Sequence, residues 1–206
     1  MSTKQKALQV NSKRTSPPRN SDRSIVSALA VLESVAGLDA ARLSPLQRIL
    51  LITDGTLTEI LEAHFLEPIE LVKLSQRIFV CVPGMCGTGF AEPGESVLER
   101  RINLRGARSR RLYVYAESLL LVDRLDRQFR TELMDSEIPL GRLWHKFRLE
   151  TYKHLVGVEC RRGGDLAFQL ACPGESRVLA RTYEVISSGK RLMRISEYFC
   201  TDGPLA

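Results

Sequence analysis

A change of hydrophobic period part-way along the chain limits the fold more than any other feature. Residues 24–38 (SIVSALAVLESVAGL) carry apolar side chains at helical spacing. Ser44-Pro45 supplies an N-cap and first-turn pair for a second helix running to about Ile52. Asp54-Gly55 breaks that helix, and TLTEILEAHF resumes the helical period, with Thr56 and Glu59 at capping-box spacing. The period then falls to two. Roughly 76–82, 97–105, 112–122, 155–160, 166–171, 178–187 and 191–199 read as strands, several joined by short Gly-containing turns. One short helix, IPLGRLWHKF, interrupts them, with Pro139 in its first turn and Leu140, Leu143, Trp144 and Phe147 on one side. Helices first and an antiparallel meander afterwards predict an α+β domain. With 206 residues there is room for one well-cored domain, over 24–206, behind a tail of residues 1–23.

The net charge of +6 points toward nucleic acid until it is located along the chain. Residues 1–23 hold Lys4, Lys6, Lys13, Arg14, Arg19 and Arg23 against Asp22 alone. Subtracting these six from 30 basic residues and this one from 24 acidic residues leaves 24 against 23, a nearly neutral body. A basic tail containing Ser and Pro reads as a solvated, flexible segment, with a functional arm as the alternative; no nucleic-acid partner is expected. No apolar run approaches a membrane span and the N-terminus lacks a signal-peptide pattern, so a soluble cytoplasmic protein is expected. Cys81, Cys86, Cys160, Cys172 and Cys200 form no CxxC pair and read as scattered reduced thiols. His64, His145 and His154 lack metal-ligand spacing, so no metal site is expected. The Gly-rich stretch PGMCGTGFAEPGE (83–95) joins two strands and reads as a plain loop or as a lid over a site.

Three strands each put a charge on an apolar face. Along 192–199, Met193, Ile195, Glu197 and Phe199 share one side. In VLERRINLR, Arg100 joins Leu98, Ile102 and Leu104; in VLARTYEVI, Arg181 joins Leu179, Tyr183 and Val185. An isolated buried carboxylate costs several kcal/mol, so Glu197 must be paired, protonated or turned toward a polar cavity. One reading is a buried Arg–Glu pair, or a one-residue register error that returns a charge to solvent. The other is a cavity whose arginines grip carboxylates, because the guanidinium fork matches a carboxylate with two parallel bonds. The helix start at Pro139 can add backbone N–H donors there. The ligand is then a small organic acid.

Taken together, LLITDGTLTEILE (50–62), ERRINL (99–104), YAES (115–118), IPLGRLW (138–144) and RTYEVISSGKRLMRISEYF (181–199) resemble the chorismate pyruvate-lyase family, in its divergent branch. The resemblance covers most of 44–205 and implies a six-stranded antiparallel sheet with packed helices around a small internal site sealed by helical flaps. It implies that Arg100 binds a ring carboxylate, that Leu140 assists through its backbone N–H, and that Glu197 serves the opposite, hydroxyl end. Thr56 falls where a flap residue covers the ligand, with Leu57 as an equal alignment. Where better-known members have an arginine, this chain has Glu117, so a second cation is needed; Arg181 is the first choice and Arg148 the next.

The implied reaction converts chorismate to 4-hydroxybenzoate and pyruvate, with Arg100 and Glu197 as the catalytic pair and Arg100, Leu140, Thr56 and Arg181 as the binding set. Aromatisation drives it, and the hydrogen can pass within the substrate, so no cofactor or metal is expected. The competing reading is a non-catalytic aromatic-acid binder, since ligand domains of some transcription regulators share the general fold.

Overall fold

The computed structural model of the protein describes residues 28–35, 38–84 and 89–206. The expected tail at 1–23 lies outside the described residues, as do the start of the first helix, Cys86 and part of the 83–95 stretch. The elements run α1 (Ala28–Glu33), a 3-10 turn (Ala40–Arg42), α2 (Pro45–Ile52), α3 (Leu57–Phe65), β1 (Ile69–Val80), β2 (Ser96–Gly106) and β3 (Leu112–Leu121). There follow a second 3-10 turn (Val122–Arg124), α4 (Arg127–Asp135), α5 (Leu140–Lys146), β4 (Tyr152–Arg162), α6 (Asp165–Gln169), β5 (Arg177–Ser187) and β6 (Lys190–Cys200). The six strands form one sheet in the order β1-β2-β3-β6-β5-β4, every neighbouring pair antiparallel. This is the expected α+β architecture.

The helix starts follow the local chemistry unevenly. At α2 the Ser44 hydroxyl accepts from Gln47 N at 3.2 Å while Gln47 Oε1 accepts from Ser44 N at 3.0 Å, a complete capping box with Pro45 in the first turn. The box anticipated at α3 does not form. Thr56 occupies the N-cap position without a side-chain bond, and its hydroxyl is buried with no partner among the described residues.

Two further differences concern strands. Residues 166–171 read as extended but hold α6, bracketed by Gly163-Gly164 and Pro173. Leu166 on this short helix and Leu170 at its C-cap cover Tyr115, Val178, Ala180 and Tyr198 on one face of the sheet, a demand of packing that overrides the local pattern. β1 begins seven residues ahead of the anticipated 76, because a bulge between Lys73 and Ser75 breaks the alternation that would have shown it.

The other face of the sheet carries the main core in two parts. Leu46, Leu50 and Leu51 of α2 and Leu57 and Leu61 of α3 pack on Ile102, Leu104, Val114 and Phe199. Phe129 and Leu133 of α4 and Leu143 and Trp144 of α5 pack on Leu98, Leu120, Met193 and Val185. Phe90 packs on Cys81, Val97 and Leu121, which lie on the sheet face away from this core, so the described part of 83–95 stands clear of the space between the helices. Among the described residues, no helix is long and apolar enough to cross a membrane.

Candidate active site

A cavity occupies the seam between the two helical groups. Leu71, Ile102, Leu104 and Ala116 wall it on the α2–α3 side, and Trp144, Tyr183 and Ile195 on the α4–α5 side. Two cross-strand rows make its floor. Arg100, Ser118, Ile195 and Tyr183 stand opposite one another in the first; Ile102, Ala116 and Glu197 do so in the second. Arg100 on β2 and Glu197 on β6 are thus separated by β3, or by about 10 Å of sheet width. That span fits a six-membered ring with polar groups at both ends.

Arg100 is 1% exposed, and its Nε and Nη2 find no hydrogen-bond partner among the described residues. Burial lowers its guanidinium pKa from 12.5 to about 10, partly opposed by the charge of Glu137, and the group stays cationic at neutral pH. A charged fork left unpaired inside a protein is costly unless a ligand completes it. The donors present, one face of a guanidinium, suit a carboxylate.

Glu197 is differently placed. Its Oε2 accepts from Arg181 Nε at 2.6 Å and its Oε1 from the Tyr183 hydroxyl at 3.1 Å, while the residue still lines the cavity. Burial, with the adjacent carboxylate, pushes the Tyr183 phenol well above its ordinary value, so Tyr183 stays a donor at all moderate pH. The arrangement holds Glu197 at the cavity surface with lone pairs available to a hydroxyl.

Arg181, expected to meet a second ligand carboxylate, stands behind Glu197. Its Nη1 donates to Thr53 O at 2.6 Å, its guanidinium lies over the Tyr183 ring, and it takes no part in the cavity wall. The reason is register: Arg181 and Glu197 are directly paired across β5 and β6. The buried ion pair therefore holds for Arg181 and Glu197, while Arg100 lines the cavity. Arg148 lines only an outer pocket beside the cavity. Glu117 is on the opposite sheet face, accepting from the Tyr115 hydroxyl at 2.7 Å, so its departure from the family pattern removes no cation from the cavity.

The second cation that lines the cavity, beside Arg100, is Lys153, which the sequence reading missed by starting its strand at 155. Lys153 and Leu155 are two apart in β4 and share a face, so extending the strand backward would have found it. Its ammonium donates to Gly55 O at 2.7 Å and lies 5.3 Å from the ring centres of both Trp144 and Tyr183. Burial lowers its pKa from 10.5 to about 8, against the opposing charge of Glu197.

Thr56, Leu57 and Leu140 all line the cavity, so both alignments of the flap residue bring it to the site. The flap sits hard against α5: a Cβ on Gly141 would lie 2.5 Å from Thr56 Cγ2 and 2.9 Å from Thr56 Cβ. Only glycine lets the start of α3 close over the start of α5 this tightly.

The architecture recurs in solved structures. The effector domain of PhnF from Mycobacterium smegmatis aligns with a TM-score of 0.56 at 11% identity, covering 73% of this chain and 91% of that one. The C-terminal domain of the histidine utilization repressor from Pseudomonas syringae aligns with a TM-score of 0.50 at 7% identity, covering 64% and 91%. At such identities these show the fold alone. Sequence relatives reach further. The chorismate pyruvate-lyase of Mycobacterium tuberculosis is 35% identical over 160 residues, 74% of this chain and 78% of the relative. That of Mycobacterium leprae is 33% identical over 156 residues, 74% and 72%. Residues 51–202, which span the flap, the sheet and every cavity residue described above, match the family model of the Rv2949c-like chorismate pyruvate-lyases, and the chain belongs to that family.

Proposed function

We propose that the protein is a chorismate pyruvate-lyase releasing 4-hydroxybenzoate and pyruvate. The observation that carries this reading is the cavity with a buried Arg100 at one end, its Nε and Nη2 without partners among the described residues, and a held carboxylate, Glu197, at the other. Arg100 and the Leu140 N–H take the ring carboxylate, and Glu197 accepts from the ring hydroxyl. Thr56 and Leu57 close over the ring from the flap.

In the reaction the bond between the ring carbon and the ether oxygen breaks, and that oxygen, kept by the leaving fragment, becomes the keto oxygen of pyruvate. The hydrogen on the hydroxyl-bearing carbon moves to the enolpyruvyl methylene, making the methyl group, and the ring becomes aromatic. Atoms and electrons balance within the substrate. The protein's task is to hold a reactive conformer and exclude water, which is where positioning contributes most.

Incubating the purified protein with chorismate and quantifying both products tests this directly. Equimolar pyruvate and 4-hydroxybenzoate are expected. Pyruvate with an isomeric hydroxybenzoate would overturn the product assignment. Tight 4-hydroxybenzoate binding without pyruvate release would overturn the catalytic reading in favour of an aromatic-acid binder.

The flap contact gives a second test. Gly141→Ala must push Thr56 outward, so turnover of chorismate is expected to fall by about 10- to 100-fold, the usual effect of misplacing a closing group by about 1 Å. 4-Hydroxybenzoate should dissociate faster, while the melting temperature stays close to that of the parent, since Ala favours the helix. Unchanged release and turnover would show that this contact does not seal the site.

A further inference from the structure

The proposed substrate has two carboxylates, and Arg100 can satisfy one. In chorismate the enolpyruvyl ether and the hydroxyl are on neighbouring ring carbons, so the second carboxylate arrives at the Glu197 end. The cation nearest in the ion-pair sense, Arg181, already gives its Nε to Glu197 and its Nη1 to Thr53 O; its buried Nη2 has no partner among the described residues, but the residue is not part of the cavity wall. Among the described residues, Lys153 is the remaining cation in the wall.

We infer that Lys153 receives the enolpyruvyl carboxylate, making it the residue that distinguishes substrate from product; this rests on the proposed reaction. The geometry supports it in three ways. The Lys153 ammonium has one hydrogen bond among the described residues, to Gly55 O, leaving donors for an anion. It is held over the Trp144 and Tyr183 rings, so its stem cannot swing freely. Two neighbours in the same wall, Thr56 and Trp144, carry a buried Oγ1 and Nε1 without partners among the described residues, and both can donate to the same carboxylate.

The consequence is directional. Lys153, Thr56 and Trp144 are the residues common to the cavity and to the outer pocket that also contains Asp54, Glu59 and Arg148. Pyruvate released on Lys153 is therefore on the outer side of the site, while 4-hydroxybenzoate stays on Arg100 beneath the flap. The product lacks the group that Lys153 binds.

A matched pair of ligands isolates this role: 4-hydroxybenzoate, and its unreactive derivative bearing a 3-(1-carboxyvinyloxy) group. They differ by the enolpyruvyl arm alone. In Lys153→Met, affinity for the derivative is expected to fall by about 10- to 100-fold, the range for losing a charge-assisted bond, with affinity for 4-hydroxybenzoate within about threefold of the parent. Lys153→Arg should recover part of the loss. In the parent the derivative should bind more weakly as pH rises through about 8, where the ammonium loses its proton, and Lys153→Met should lack that leg. The groups facing Lys153 are Glu197, Arg181, Tyr183, Asp54, Glu59 and Trp144, and the charged ones among them bracket its titration from both signs.

Equal losses for both ligands would overturn the inference by showing a structural role, and so would no loss for either. Because these are binding measurements on an unreactive ligand, they stand whether or not the parent turns chorismate over; absence of turnover speaks only against the lyase reading.

Discussion

Arg100→Met is expected to lower kcat/KM for chorismate by about 30-fold or more and at the same time to raise the melting temperature. The two effects have one cause. In the unliganded protein Arg100 is 1% exposed with two guanidinium nitrogens unpaired among the described residues, a state that costs stability. Methionine has a similar reach and no charge to desolvate, so a gain of about 1–3 kcal/mol is expected. For a chain of this size that is roughly 2–4 °C per kcal/mol. On the proposed reaction, the same guanidinium meets a carboxylate of bound substrate in a dry site, and removing one partner of such a pair costs about 2–5 kcal/mol, or some 30- to several thousand-fold in kcat/KM. Arg100→Lys should behave more like Met than like Arg, because a point charge cannot make two parallel bonds. Calorimetry and pyruvate release read the two effects separately. Retained turnover with a lowered melting temperature would mean that Arg100 is structural and that its unpaired state misleads.

Glu197 should respond in the opposite way to truncation, losing stability as well as activity. Glu197→Ala strands Arg181, 2% exposed, with a cation and no counter-charge, and removes the acceptor of the Tyr183 hydroxyl. Breaking a buried pair in this way costs about 3–5 kcal/mol. The expected fall in melting temperature is on the order of 10 °C. The double variant Arg181→Met/Glu197→Met removes both charges, and its stability should return to near that of the parent while turnover stays absent. Arg181→Met alone should be destabilised like Glu197→Ala. A double variant no more stable than either single one would show that the pair is not coupled, since contacting residues in a cycle must deviate from additivity.

Much of the fold could be read along the chain. The Ser44-Pro45 start and the alternation of β2, β5 and β6 are local signals, and each is realised. Where the reading failed, a neighbour had overruled the local pattern. Leu166 and Leu170 form a helix because the far face of the sheet needs cover. Thr56 makes no capping bond, and its side chain instead lies against Gly141 at the start of α5. Lys153 escaped notice because a polar start to β4 hides its strand, and because a bulge between Leu155 and Gly157 breaks the alternation beyond it.

The candidate site divides in the same way. Alternation by itself determined that Arg100, Arg181 and Glu197 each point toward an apolar face, because a strand's period is two whatever its partners. Which charge meets another and which meets a void was decided by register. The hairpin begins with Ser187 opposite Lys190 and Ile186 opposite Arg191; kept unbroken, that pairing would set Arg181 against Ser196 and turn Glu197 to the other face. A bulge between Val185 and Ile186 moves the pairing by one residue, so Arg181 faces Glu197 and the two neutralise each other. No such partner crosses to Arg100, whose opposite numbers are Gln76 and Ser118. Its Nε and Nη2 stay without a hydrogen-bond partner among the described residues, because side-chain direction is a local property of the chain, and the company a side chain keeps is not.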